Sequence, residues 1–219
     1  MKWYDVVAPI YDGAIRSLYL PYRQKAIQSL RLQPGLTVLD LGCGSGLNFE
    51  LIMESIGSQG TLIGVDFSAK MLERAQKTVD RHGWKNVYLL QKDARQLDLQ
   101  SLDSLTGRSV QVDRILCTLG LSVFPAWQDV FERSFDLLAS DGRYCVMDLF
   151  NQNNTFQTRL VNFLANSEIS RRIWEPLQER CGDYSEERHP LMHSSDVVVI
   201  ASGNNSQGGK SNISTAKNA

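Results

Sequence analysis

Three aspartates, spaced by 26 and then 27 residues, are the side chains best placed to do chemistry. Asp40 stands near the end of the apolar run TVLDL, and Gly42, Gly44 and Gly46 follow at alternate positions. Glycines there let the backbone bend sharply and approach a ligand closely. The N–H groups at the start of the following helix favour a negatively charged ligand group. Asp66 closes the run TLIGVD. A carboxylate facing two vicinal hydroxyls accepts both hydrogen bonds, which is how a ribose is held. Asp93 follows the run VYLLQ and could accept from an exocyclic amine such as that of adenine. Phe67 and Met71 could pack on the purine face. Capping of helices or turns would explain one such acid, but less readily three at successive strand ends beside three glycines.

The elements that must position these residues alternate. Strands are predicted at Thr37 to Leu41, Thr61 to Asp66, Val87 to Gln91, Val112 to Cys117, Arg143 to Leu149 and Asp196 to Ala201. Helices are predicted from Leu47 to Ser55, and after an N-cap at Ser68 with Met71, Leu72, Ala75 and Val79 on one face. Pro125 opens a further helix with Trp127, Val130, Phe131, Phe135 and Leu138 inward, and Asp141–Gly142 reads as a turn. Helical spacing recurs at Phe156, Leu160, Phe163 and Leu164, then at Ile169, Ile173, Trp174 and Leu177. Strands alternating with helices predict an α/β fold: a doubly wound, mostly parallel sheet covered on both faces. Ligands bind such sheets at the carboxyl ends of the strands, where strand order reverses.

Composition fits this class. The chain has 219 residues, 42% hydrophobic and 21% charged, with a formal net charge of −1. That size suits one domain, read here as residues 1–202, with 1–30 as an N-terminal helical segment. The Gly-, Ser- and Asn-rich stretch 203–219 reads as a disordered tail. Near-neutral charge argues against a general nucleic-acid binder. No apolar run approaches the roughly 20 residues of a membrane span, and no secretory signal is apparent, so a cytoplasmic protein is expected. Cys43, Cys117, Cys145 and Cys181 are widely spaced, which fits a reducing compartment better than zinc or disulfides. The Asn-x-Ser/Thr matches at Asn153, Asn204 and Asn212 then read as chance.

Ribose and adenine together leave NAD and S-adenosylmethionine as cofactors. The dinucleotide fingerprint G-x-G-x-x-G/A fails, because its sixth position is Leu47. D-L-G-C-G-S-G at Asp40, V-D-F-S at Val65 and K-D-A at Lys92 instead resemble the class I S-adenosylmethionine-dependent methyltransferases. The resemblance covers roughly residues 37–149 and implies a Rossmann-like seven-stranded sheet ending in an antiparallel pair. It implies that Asp40, Gly42, Cys43, Gly44 and Gly46 line the methionine end. It places the ribose on Asp66 and the adenine beside Asp93 and Ala94, with Phe67, Met71 and Thr118 also at the cofactor. Cys43 has no nucleophilic role in this reading.

The acceptor is less legible. The segment after the fourth strand, Cys117 to Pro125, lacks the Asn/Asp-Pro-Pro-Tyr/Phe motif of amino-methylating DNA and glutamine enzymes. L-G-L-S-V-F-P-A-W and the N-terminal W-Y-D-x-x-A-P-I-Y-D are similar to a subgroup of phospholipid N-methyltransferases and quinone C-methyltransferases. A small-molecule or lipid head-group acceptor is therefore expected, with at most peripheral membrane contact. A non-catalytic binding or scaffold protein is the alternative. Tyr11 and Asp148 are the candidate catalytic residues at the pocket rim. Val7, Ile10, Tyr11, Ala14, Ile15, Leu18 and Tyr19 fit one helix face, which serves as a lid, as core, or as a membrane contact. His82 reads as a helix cap, and His189 and His193 as surface residues or acceptor-pocket lining; no metal site is expected. Arg171–Arg172 reads as a solvated face or an attractor of acidic substrate. The strand before the last one should lie within Cys181 to His193, a polar stretch containing Pro190.

Overall fold

A computed structural model describes residues 18–151, 168–191 and 195–205. Tyr11, most of the N-terminal helix face, the spacing at Phe156 to Leu164, His193 and the tail beyond Asn205 lie outside the described residues.

After helix α1 (18–29) come β1 (Thr37–Leu41), α2 (Phe49–Ile56), β2 (Thr61–Asp66), α3 (Ala69–His82) and β3 (Val87–Gln91). A 3-10 turn (Ala94–Gln96) leads to α4 (Leu99–Thr106), β4 (Val112–Thr118), α5 (Trp127–Phe135) and β5 (Leu138–Phe150). The described chain closes with α6 (Glu175–Arg180), β6 (Ser185–Pro190) and β7 (Val197–Asn204). The strands form one seven-stranded sheet in the order β3-β2-β1-β4-β5-β7-β6. Only β7 runs antiparallel to its neighbours β5 and β6. The doubly wound α/β class expected above is therefore the one formed. Strand order reverses between β1 and β4, which opens a crevice at their carboxyl ends.

Alternation along the strands builds a core on each face. Leu39, Leu41, Ile63 and Val65 pack with Phe131, Phe135 and Leu177 from α5 and α6. Val38, Leu62, Leu116 and Met147 pack with Ala26 and Leu30 of the N-terminal segment, Ile52 of α2 and Ala75 of α3. Side chains on a strand alternate between faces. Asp40 and Thr118, each two residues beyond Val38 and Leu116, therefore point toward α1 and α2. Asp148, two beyond Val146, points to the opposite layer.

Local chemistry fixes the elements. Ser68 caps α3, its hydroxyl accepting from Met71 N at 3.4 Å, and Gly83 ends that helix in the left-handed conformation. Four expectations change. Asp141–Gly142 is not a free turn: it lies inside the 13-residue β5, where Val112 pairs with Leu138 and Arg114 with Arg143. Three extra β5 residues are absorbed there as a bulge. Pro125 stands two residues ahead of α5 rather than in its first turn, and Leu138 opens β5. The pattern from Ile169 is helical only from Glu175, although Ile169, Ile173, Trp174 and Leu177 are all buried. The strand β7 continues through Gly203 to Asn204, past the predicted start of the tail.

The polar stretch before β7 does form a strand. SEERHP is an edge strand with four residues exposed, so it carries no apolar alternation to announce it. Pro190 is its last residue, where a missing N–H costs no interior ladder bond.

Candidate active site

The glycine loop leaves β1 with positive φ at Gly42, Gly44 and Gly46 (69°, 55° and 81°). At Gly46 a Cβ would also come within 2.8 Å of the buried Phe49 ring. The loop is braced from β2. Gly42 N and Cys43 N donate to Val65 O at 2.8 and 3.0 Å. Gly44 N donates to one Asp66 oxygen and Ser68 N to the other, both at 2.8 Å. Asp66 is half-buried, and burial raises its pKa against the N–H bonds that lower it. Each Asp66 oxygen keeps a lone pair, so both can accept from a diol while still holding the loop. Burial pushes the Cys43 thiol well up, so it stays protonated and inert.

Beneath the loop lies a polar network missed by sequence reasoning. Asp40 is fully buried and accepts from Asn48 Nδ2 through both oxygens at 3.0 Å. Arg23, carried by α1 and 6% exposed, donates from one nitrogen to Asn48 Oδ1 at 2.6 Å and to Thr118 Oγ1 at 2.7 Å. Asn48 Nδ2 also reaches Thr118 Oγ1 at 3.1 Å. Asp40 and Thr118 therefore support the loop from below instead of lining an open surface. Beyond Thr118 the chain turns at Leu119 with φ 54°, and Leu119 N donates to Met147 O at 2.7 Å. A non-glycine residue in that region costs roughly 1 kcal/mol or more, so the turn is held by its surroundings.

Burial drives the Asp40 pKa to about 7, against Asn48 and Arg23, which lower it. Burial likewise takes Asp148 to about 6. Both values lie above that of the unfolded chain, so the folded protein takes up these protons first as pH falls. Their contribution to stability is lowest above pH about 7 and rises as pH falls through 7 and then 6. We expect the ligand-free protein to gain roughly 1 to 2 kcal/mol between pH 7.5 and 6 from these two groups. Asp40→Asn should remove most of that slope in urea unfolding. An unchanged slope would contradict the assignment.

At the far side of Asp66 a groove of about 320 Å³ is lined by Phe67, Gln91, Lys92, Asp93 and Gln96. Phe67 is 58% exposed, an unusual state for a large aromatic. Asp93 accepts from Arg95 N at 3.0 Å and pairs with its guanidinium, and these bonds hold its pKa below the usual carboxylate range. Phe67 and Asp93 thus line one groove. Met71 is half-buried and does not line it, and Ala94 is buried. Gln91 and Gln96 are lining residues that no motif singled out.

Asp148 is not a rim residue. It is 2% exposed, accepting from Ser122 N at 2.9 Å, Ser122 Oγ at 2.7 Å and Leu149 N at 2.9 Å. Three donors and no solvent make it the anchor of the loop after β4. Arg171 clamps the same loop, donating to the carbonyls of Leu121, Ser122 and Phe124 at 2.6–3.3 Å. Arg171 is thus turned into the fold, whereas Arg172 is exposed on the solvated face expected for the pair. His82 stacks on Trp84 with ring centroids 4.3 Å apart and lies 3.2 Å from Glu50. His189 lies on β6, 3.0 Å from Glu187 and beside the Tyr22 ring. Among the described residues no cluster of His, Cys, Asp or Glu is arranged for a metal, and no helix is long and apolar enough to cross a membrane.

Known proteins share this frame. A methyltransferase domain family matches residues 32–194. The chain is 29% identical over 145 residues to an arsenite methyltransferase of Halobacterium salinarum, covering 66% of this chain and 34% of that one. It is 38% identical over 111 residues to a demethylmenaquinone methyltransferase of Desulfitobacterium hafniense, covering 50% of this chain and 42% of that one. The chain thus spans less than half the length of both relatives. The fold superposes on the geranyl diphosphate C-methyltransferase of Streptomyces coelicolor with a TM-score of 0.67 at 13% identity, covering 84% of this chain and 75% of that one. Because the family match runs from before β1 through the glycine loop and its acids to β6, the chain belongs to the methyltransferase domain family, as a class I S-adenosylmethionine-dependent member.

Proposed function

We propose that the protein transfers a methyl group from S-adenosylmethionine to a small-molecule or lipid head-group acceptor. One observation carries the reading: Asp66 braces the glycine loop through Gly44 N–H while keeping acceptor capacity on both oxygens, beside a groove with an exposed aromatic. The residues present fit the cofactor. Gly42 to Gly46 would admit its methionine end, Asp66 its ribose, and Phe67 with Asp93 its adenine.

Bound there, S-adenosylmethionine supplies a methyl group activated on a sulfonium sulfur. The chain's own part is positioning, which supplies much of the rate when the leaving group is already activated. Asp66 and the loop fix the donor at the crevice. Asp148 and Arg171 fix the wall after β4, through Ser122 and its neighbours. No described carboxylate or imidazole is placed here as a general base. An amine acceptor needs only desolvation and loss of a proton, whereas carbon or hydroxyl acceptors need a base. Nothing in the site favours the scaffold reading, since loop and acids are intact.

The lipid or quinone class is the finer reading. It is supported by L-G-L-S-V-F-P-A-W and by the relative named for demethylmenaquinone. The four cysteines are unpaired, which suits a cytoplasmic setting. The test is incubation of the protein with methyl-labelled S-adenosylmethionine and whole-cell extract, partitioned between solvent and water. Enzyme-dependent label in the organic phase is expected. Label confined to water would replace the lipid class with a polar acceptor. No transfer at all would contradict the proposed activity.

A further inference from the structure

We infer that Arg23 is a positioning residue for the cofactor: from α1 it sets the orientation of Asn48, and through Asn48 and Asp40 it holds both ends of the glycine loop. The inference rests on the function proposed above and adds a coupling between the N-terminal helix and the cofactor site.

The argument begins with donor and acceptor types. A guanidinium has donors only. Its 2.6 Å contact with Asn48 must therefore be to the amide oxygen, which turns the amide nitrogen toward Asp40. That nitrogen then donates to both carboxylate oxygens. Asp40 precedes the glycine loop and Asn48 follows it, so this pair joins the loop's two ends. Thr118 Oγ1, accepting from both Arg23 and Asn48, ties the same group to the end of β4. With Arg23 removed, Asn48 Oδ1 loses its charged donor, and the Asp40 carboxylate alone is left to orient the amide.

The placement is specific. Arg143 is buried as well, but it binds Ser29 O, Asp183, Asn204 and Ser202. Those partners sit at the last residue of α1, just before β6 and at the end of β7, at the rim opposite the cofactor. Arg143 is a clamp of the fold, while Arg23 reaches across the face of the sheet to the switch point. Arg23 also lies four residues past Tyr19, a core residue of α1, so the helix cannot shift without moving the network.

The test compares Arg23→Gln, Arg23→Lys and the control Arg143→Gln. Each is titrated with S-adenosylhomocysteine by calorimetry, with urea unfolding measured alongside. Arg23→Gln should weaken binding at least tenfold while folded. Arg23→Lys should recover part of the loss, since one ammonium can still face Asn48 Oδ1. Arg143→Gln should lower stability and leave affinity within about twofold. In the unaltered protein, amide exchange over residues 18–29 should slow several-fold when S-adenosylhomocysteine is added, a readout that needs no variant to fold. Unchanged affinity in Arg23→Gln, or exchange of α1 indifferent to the ligand, would overturn the inference and leave the proposed function standing. Absence of binding by the unaltered protein would overturn both.

Discussion

Asp66→Ala is expected to weaken S-adenosylhomocysteine binding by 100-fold or more while costing less than about 2 kcal/mol of stability. Asp66 does two jobs with one carboxylate: its oxygens accept from Gly44 N and Ser68 N, and their free lone pairs face the crevice. Two hydrogen bonds to a charged acceptor contribute about 1.5–3 kcal/mol each. Their loss is roughly two decades or more of affinity at about 1.4 kcal/mol per decade. The loop also loses the brace that aims its N–H groups. Stability suffers less, because burial already disfavours this charge, and removing it offsets part of the two lost N–H partners. An acid that merely capped α3 would behave the other way. Stability would fall and affinity would hold, and calorimetry beside urea unfolding separates the two.

Asp148→Ala is expected to destabilise the protein by about 3 kcal/mol and to slow turnover, with the stability loss as the diagnostic result. Ser122 is 5% exposed, and its N–H and hydroxyl both donate to Asp148. Buried donors left unpaired cost about 1–3 kcal/mol. The Arg171 guanidinium, which acts on Asp148 electrostatically, loses a countercharge as well. Adding Ser122→Ala should restore part of the loss, because one orphaned hydroxyl is then removed. A general base would instead show lost turnover at unchanged stability, and no recovery from the second substitution.

The difference between a base and an anchor at Asp148 shows where sequence stops informing. The acid near the end of β5 was visible, and so was its register in the strand. Its burial depends on Ser122, 26 residues away, and on Arg171, across a layer. Local pattern carries the first kind of information and not the second. The strands at Thr37–Leu41, Thr61–Asp66 and Val87–Gln91 were legible to the residue, because parallel strands flanked by helices are short apolar runs cut off by turns, even where, as in β3, the strand is at the sheet edge. The edge strand Ser185–Pro190 was not, because exposure removes that signal. Gly42, Gly44, Gly46 and Asp66 were legible through type and spacing. Arg23 and Asn48 were silent for a different reason. They meet across 25 residues, and Arg23 meets Thr118 across 95, so only the fold makes them a site. An arginine in an amphipathic helix otherwise reads as a solvated charge.

The most direct measurement is calorimetric titration of the unaltered protein with S-adenosylhomocysteine, and separately with NAD. The account predicts one binding site per chain for S-adenosylhomocysteine, lost on Asp66→Ala, and no heat of binding with NAD. Binding of NAD in its place, or S-adenosylhomocysteine binding indifferent to Asp66, would contradict the assignment of this crevice.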